Sequence, residues 1–193
     1  MSRIPAVANL FYPGNPQELR QQLNTFLAPV SNPREVIAAI CPHAGYIYSG
    51  GVAGAVYSQI HVPETVIILG PNHRGIGSSV AVQSTGSWEM PLGTVSINEK
   101  LAGNLLHALG NQAQADPQAH AMEHSLEVQV PFLQMIQPEL EIVPVSLSQV
   151  SCEACDSIGR TMGKVIQDWP SPVLIVASTD MSHYVSRETA KAK

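Results

Sequence analysis

The feature that most constrains this chain is its alternation of short apolar runs with helical patterns. Thr65-Val66-Ile67-Ile68-Leu69 is the clearest run: it is rich in β-branched residues, is closed by Gly70-Pro71, and reads as a buried strand. Val36 to Ile40, Glu141 to Leu147 and Val173 to Ala177 read the same way. Helical stretches separate them. Asn15 and Pro16 mark a helix start, with Asn as cap and Pro in the first turn, and that helix runs to about Leu27. Gly50 to Ile60 reads as a small-residue helix, Asn98 caps one reaching about Leu109, and Cys152 to Gln167 forms another. Ser125 to Ile136 is also helical, but Pro131 falls inside it. Proline in a helix interior costs about 3 kcal/mol, so a kink or a new helix start is predicted there. This rhythm predicts an α/β fold: a mostly parallel sheet with helices on both faces. From Ser79 to Ile97 the pattern changes. Val80, Val82, Val95 and Ile97 alternate with small or polar residues around the turn Met90-Pro91-Leu92-Gly93, which predicts an edge hairpin over about 79–97.

A length of 193 residues suits one domain spanning 1–193 with a sizeable core. Apolar residues make up 45% and charged residues 13%, which excludes a disordered chain. The net charge of −5 lacks the basic footprint of a nucleic-acid binder. Val66–Leu69 and Val173–Val176 are among the longest apolar runs, far short of the roughly 20 residues that span a bilayer. The opening Met1-Ser2-Arg3-Ile4-Pro5 has no signal-peptide core. A cytoplasmic location, with neither nucleic acid nor membrane as partner, is the expectation. The three cysteines are too few for a disulfide scaffold. Cys152 and Cys155 form a CxxC, but a structural zinc site usually takes two such pairs. The plainer reading is two thiols at the start of a helix.

Chemistry concentrates after three of the strands. One runs into Cys41-Pro42-His43-Ala44-Gly45, another into Gly70-Pro71-Asn72-His73-Arg74, and the last into Asp180-Met181-Ser182-His183. Sites in open parallel sheets form outside the C-terminal strand ends, and right-handed crossovers put these loops on one edge. Histidines far apart in sequence therefore converge. Neutral imidazole is the commonest protein ligand for a transition metal, and Pro and Gly stiffen the loops around His43 and His73. A single histidine of this kind more often satisfies a core hydrogen bond; three at strand ends weigh against that. His124, in Glu123-His124-Ser125-Leu126-Glu127, admits two readings. Either Ser125 and its flanking carboxylates mark a helix start, or His124 reaches over the site as an acid/base or substrate contact. The preceding loop, Gln112 to His120, is long enough to fold over an edge. His61 and His107 look ordinary, and His120 is undecided. Tyr46 and Tyr48 flank the first loop and either line a pocket or pack beneath it.

Pro42-His43-Ala44-Gly45-Tyr46, Leu69-Gly70-Pro71-Asn72-His73, Glu123-His124-Ser125-Leu126-Glu127 and Ser178-Thr179-Asp180-Met181-Ser182-His183, in that order, resemble the motifs of the Memo family. That family includes protein B of the AmmeMemoRadiSam system. Ala6 to Pro13 resembles its entry segment, and the resemblance runs over essentially the whole chain. It implies a fold similar to that of class III extradiol dioxygenases, which use non-haem iron(II). It also implies a metal site of two histidines and a cysteine, with iron or copper as the metal and zinc also compatible. The two histidines fall on His43 and His73, and the family's Asp and His of the later motif fall on Asp180 and His183, near the site but outside direct ligation. In the dioxygenases a histidine in a similar place acts as acid/base. The family's ligand cysteine lies in a Cys-Gly motif well beyond that segment, and neither Cys41, Cys152 nor Cys155 sits in such a motif. The expectation is a C-terminally incomplete chain, short by about a quarter to a third given usual α/β unit sizes.

These readings predict His43 and His73 as metal ligands. His183, His124 and Asp180 are the expected proton-handling groups, and Tyr46, Asn72 and Glu127 the expected pocket residues. The leading expectation is a Memo-like metal-binding protein of redox or oxygenase-related chemistry. It would act on an unknown small molecule, with AMMECR1-like and radical-SAM proteins as partners. The competing expectations are a non-haem iron extradiol dioxygenase and a scaffold that keeps the pocket without turnover; fold resemblance does not choose among them.

Overall fold

A computed structural model describes residues 2–183 and 185–192. The strands are β1 (Ser2–Arg3), β2 (Ala38–Cys41), β3 (Thr65–Pro71), β4 (Val80–Val82), β5 (Ser87–Met90), β6 (Gly93–Ile97), β7 (Gln114–Ala115), β8 (Glu141–Leu147) and β9 (Val173–Ser178). The helices are α1 (Pro16–Phe26), α2 (Tyr46–Tyr57), α3 (Glu99–Leu109), α4 (Gln118–Ala121), α5 (Val130–Ile136), α6 (Cys152–Gln167) and α7 (Arg187–Ala192). The main path of the sheet runs β1-β5-β6-β8-β3-β9-β2, with β4 and β7 attached beside β8. From β6 to β2 every neighbouring pair is parallel. Helices α1, α2 and α5 pack on one another, and α3 packs on α6. The expected α/β class, a mostly parallel sheet flanked by helices, is what the chain adopts.

The central strand is the one that the sequence marks most strongly. β3 lies between β8 and β9, and Val66, Ile67 and Ile68 are fully buried. Continuous β-branched apolar residues suit a strand covered on both faces. The small-residue helix begins at Tyr46, four positions before Gly50. Gly50 and Gly54 sit inside it as packing positions: a Cβ on Gly50 would meet Phe26 Cε2 at 2.5 Å, and one on Gly54 the Phe26 carbonyl oxygen at 2.5 Å. Their lack of a side chain lets α1 close on α2. Pro131 lies in the first turn of α5, where its missing N–H costs nothing, so the expected new start is realised.

The hairpin differs from expectation in its partners. It is formed by β5 and β6, with Trp88 opposite Val95 and Met90 opposite Gly93, and β1 pairs with its outer strand. Val80 and Val82 do not face Val95 and Ile97. β4 instead runs antiparallel to the C-terminal half of β8, Val82 opposite Val145, while β6 meets the N-terminal half of β8 at Glu141 and Ile142. Two features explain this. All of β4 is buried, so it is a core strand and not a half-exposed one. Trp88 anchors the hairpin: it is buried, and its Nε1 donates to Gln83 Oε1.

The segment from Glu123 to Gln129 is not helical at its start. It crosses the strand ends as irregular chain before a short 3-10 turn at Glu127–Gln129. Glu127 is fully buried there and gathers the N-terminus. Its carboxylate accepts from Arg3 Nη2 at 2.6 Å, from the Ala6 and Val7 N–H groups, and from the Tyr12 hydroxyl. Arg3 also donates to the carbonyls of His120 and Glu123 and lies over the Trp88 ring. His120 is buried, with Nε2 at 3.1 Å from the Ala81 carbonyl, which settles it as a core residue under β4.

Breaking a buried, hydrogen-bonded ion pair at one partner leaves the other charge stranded and costs about 3–5 kcal/mol. Glu127→Ala should therefore lower stability by about that amount in denaturant titrations; a loss within error of zero would contradict the anchoring role. His120 titrates differently. Burial, then the nearby Arg3 guanidinium, push its pKa down to about 4 from 6.5. Between those values the unfolded chain binds a proton that the folded chain refuses, so stability should fall as pH drops through that window, by up to ~3 kcal/mol. His120→Gln should flatten this part of the pH–stability curve relative to the parent protein, as read by chemical denaturation at stepped pH.

Candidate metal centre

Three imidazoles meet at the C-terminal edge of the sheet. His43 follows β2 by two residues, His73 follows β3 by two residues, and His124 comes from the irregular segment that crosses between them. Their candidate ligand atoms all lie within 4.8 Å of one another. The rings of His73 and His124 stack with centroids 4.5 Å apart, and His43 stands edge-on to both, at 5.3 and 5.8 Å. Each ring is oriented by a neighbour.

Glu123 orients two of them. Its buried carboxylate accepts from the His73 N–H at 2.7 Å, and lies 2.9 Å from His73 Nδ1 and 3.4 Å from His124 Nδ1. The N–H groups of His124 and Ser125 also donate to it. Burial alone would raise this carboxyl, but the Ser125 and His73 donors outweigh it and hold it below the ordinary glutamate range. The carboxylate is thus charged and only accepts, so Nδ1 of His73 carries the proton. The Nε2 lone pair of that ring is left free.

Ser178, the last residue of β9, does the same for His43. Its hydroxyl has one proton and two lone pairs. The proton goes to the Ser125 carbonyl at 2.6 Å, and one lone pair accepts from Gln129 Nε2 at 2.8 Å. The remaining lone pair faces His43 Nδ1 at 3.2 Å. A hydroxyl already committed as donor fixes His43 as the Nδ1–H tautomer, again with Nε2 free. Burial lowers the pKa of His43, and the neighbouring His73 and His124 push the same way against Asp180. Burial likewise lowers His124. Both rings are therefore neutral at pH 7, the state that binds metal.

The other expected residues are distributed around this cluster. Asp180 Oδ1 accepts from the His43 N–H at 2.9 Å, and Oδ2 lies 3.8 Å from His43 Nε2 and 3.3 Å from His183 Nε2. Asn72 shapes the His73 turn, accepting from the Arg74 and Gly75 N–H groups and donating to the Ile76 carbonyl. Tyr46 is buried beneath the site, its hydroxyl donating to the Val128 carbonyl at 2.7 Å. Glu127, expected in the pocket, is locked on the N-terminal segment as described above. Cys41 is buried, with its thiol pushed up to about 11 by burial, and stands outside the imidazole cluster.

A cavity of about 980 Å³ does not sit on the imidazoles. It is an apolar groove between β2 and α2 lined by Ile40, Tyr48, Val52 and Met181, and it reaches the site at Asp180 and His183. A smaller hollow of about 420 Å³ opens beside His73, bounded by Asn72, Leu147 and Gln149. We take the imidazole cluster as the centre, because its candidate ligand atoms lie within 4.8 Å of one another and buried partners orient its rings. Sequence reasoning expected His43 and His73 together at this edge as candidate ligands, but not His124 as the third imidazole, nor Glu123 and Ser178 as their partners. The available signal was a histidine flanked by two carboxylates at 123 and 127, which a helix-start reading absorbed.

A family profile described as "Memo-like protein" matches residues 3–192. A MEMO1 family protein of Aquifex aeolicus is 43% identical over 195 residues, covering 99% of this chain and 71% of the relative. Another from Thermotoga maritima is 40% identical over 208 residues, covering 100% of this chain and 74% of the relative. A third, from Methanopyrus kandleri, is 38% identical over the full chain and 73% of its own length. The chain belongs to the Memo family.

Proposed function

We propose that this Memo-family chain binds one transition-metal ion through His43, His73 and His124 and serves redox or oxygenase-related chemistry on a small molecule. The observation that carries the reading is the set of three imidazoles with ligand atoms within 4.8 Å of one another. The donor set fits such an ion. Three nitrogens held at about 2.1 Å from one ion lie about 3.4–3.6 Å from one another, so loading draws the ligand atoms in from their present spread of up to 4.8 Å. Imidazole suits iron, copper and zinc alike, and Glu123 and Ser178 supply the outer hydrogen bonds that metal-bound histidines usually make. A bound iron or copper ion would supply open coordination positions and one-electron chemistry.

The chain's own residues then have distinct tasks. Glu123 and Ser178 keep the imidazoles aimed, and burial keeps His43 and His124 neutral. Asp180 fixes the His43 backbone and, with His183, holds a proton at His183 Nε2 where the apolar groove meets the centre. His183 is half exposed, so that proton exchanges with solvent. The groove presents the apolar side chains of Ile40, Val52 and Met181 and favours a substrate with an apolar body. His124, weighed at first as an acid/base group, is committed to the cluster in this reading. The Glu123 and Glu127 carboxylates are engaged elsewhere, which leaves Asp180 as the nearby carboxylate and disfavours a standard two-histidine, one-carboxylate dioxygenase set. AMMECR1-like and radical-SAM proteins remain the partners we propose from the family resemblance, and a cytoplasmic location goes with them. No helix among the described residues is long and apolar enough to cross a membrane.

Metal content of the purified chain tests the centre. The parent protein should retain one ion after gel filtration, and His43→Ala, His73→Ala and His124→Ala should each lose most of it. Equal content in all four proteins would remove the proposal. Glu123→Gln keeps the shape but not the charge, and should weaken metal affinity about 10–100-fold, measured by chelator competition. Oxygen uptake with catechols separates an oxygenase from a scaffold: uptake that vanishes in His43→Ala supports turnover, and none in the metal-loaded parent protein supports the scaffold.

A further inference from the structure

The histidine centre leaves one chemically reactive pair unused. Cys152 and Cys155 are both free and exposed. Cys152 is the first residue of α6, and Ser151 caps that helix by accepting from the Ala154 N–H at 3.2 Å. The buried contacts of α6 come from Ile158 and Met162, so neither thiol is needed for packing. Cysteine is ordinarily among the most buried residue types, which makes two exposed ones on a single turn unusual.

Helical geometry brings them together. A rise of about 1.5 Å and a turn of about 100° per residue place Cα atoms three positions apart at about 5 Å. That lies inside the roughly 4.4–6.8 Å that the Cα atoms of a disulfide span. Cβ atoms at this helical spacing stand about 5–6 Å apart, against the roughly 3.5–4.5 Å of a closed bond, so closure requires the first turn of α6 to tighten. Side chains at this spacing share one face of the helix. The pair also follows closely in sequence on residues that line the hollow beside His73. Leu147, Ser148 and Gln149 line the hollow beside His73, and the chain then turns through Val150 and Ser151 into Cys152.

We propose that Cys152 and Cys155 form a reversible redox site, a dithiol that closes to an intrahelical disulfide by exchange with a low-molecular-weight disulfide of the glutathione type. One protein thiolate attacks a sulfur of the small disulfide, breaking its S–S bond, releasing one small thiolate and leaving a mixed disulfide. The second protein thiolate attacks the protein sulfur of that mixed disulfide, forming the Cys152–Cys155 bond and releasing the second small thiolate. The protein gives up two electrons and two protons, and the small disulfide becomes two thiols. The proposal stands on α6 alone and is independent of metal at the histidine centre.

The test equilibrates the reduced chain across a series of reduced-to-oxidised glutathione ratios, quenches with acid, denatures, alkylates with a maleimide and weighs the intact protein. With three cysteines in the sequence, the parent protein should pass from three alkylated thiols to one in a single step, with no glutathione retained and no dimer. Cys152→Ser and Cys155→Ser should instead each retain one glutathione on the surviving thiol. Both variants lie on an exposed turn, and circular dichroism confirms that they fold. A parent protein that keeps glutathione on either cysteine, forms dimers through them, or stays at three alkylated thiols across the series overturns the proposal.

Discussion

The site depends on satisfying every polar group of an irregular segment, Glu123 to Gln129, in the middle of the protein. A buried stretch of chain without regular structure has backbone and side-chain groups that water cannot reach, and each needs a partner. Here the partners come from the strand ends themselves. The Ser125 hydroxyl donates to the Pro71 carbonyl at the end of β3, and the Ser125 carbonyl accepts from Ser178 at the end of β9. Gln129 Nε2 donates to the Pro42 carbonyl after β2, and its oxygen accepts from Tyr57. The hydrogen bonds that keep the segment buried are the same ones that hold the three histidine loops at fixed separation. Gly70 permits the approach: a Cβ there would meet Leu126 Cδ1 at 2.9 Å.

Within this segment two carboxylates four positions apart have opposite uses. Glu127 is saturated by donors from the N-terminal segment and has nothing left to offer a ligand. Glu123 points to the imidazoles and stays ionised against its own burial. The result is one negative charge beside three imidazoles whose candidate ligand atoms lie within 4.8 Å of one another, an arrangement that suits a cation.

The legible part of the molecule was local. β3 follows from an unbroken β-branched run, and α1 and α3 from their asparagine caps, both of which accept from first-turn N–H groups. His43 and His73 follow from strands that end in stiff Pro- and Gly-bearing loops on a parallel sheet. What escaped was non-local. Nothing near Val80 says that it pairs with Leu147, nearly seventy residues away. Gly50 and Gly54 read as part of a small-residue helix but not as packing positions, because Phe26, the residue they accommodate, lies on another helix. Arg3 gave no sign that its partner is Glu127, and so Glu127 was expected in the pocket. His124 was legible as a candidate but not as a ligand, because its role depends on a crossing segment that periodicity describes as a helix.

Ser178 shows how little of the site could move without cost. Its hydroxyl proton and both lone pairs are assigned to three different groups, the Ser125 carbonyl, the Gln129 amide and the His43 ring. Threonine would keep the count but add a methyl to a fully packed position, and alanine would strand two buried groups and free the His43 tautomer. Asp180 sits on the other side of the same ring, with Oδ2 3.8 Å from Nε2. If Ser178 holds the proton on Nδ1, both of these atoms are acceptors, and no hydrogen bond joins them. An acceptor pair held apart in this way is stabilised by a bridging donor or a positive charge. A metal at Nε2 would offer one from the cluster, and His183 Nε2 lies 3.3 Å from Oδ2 on the solvent side. Asp180 thus links the part of the site that would bind a cation to the part that exchanges protons.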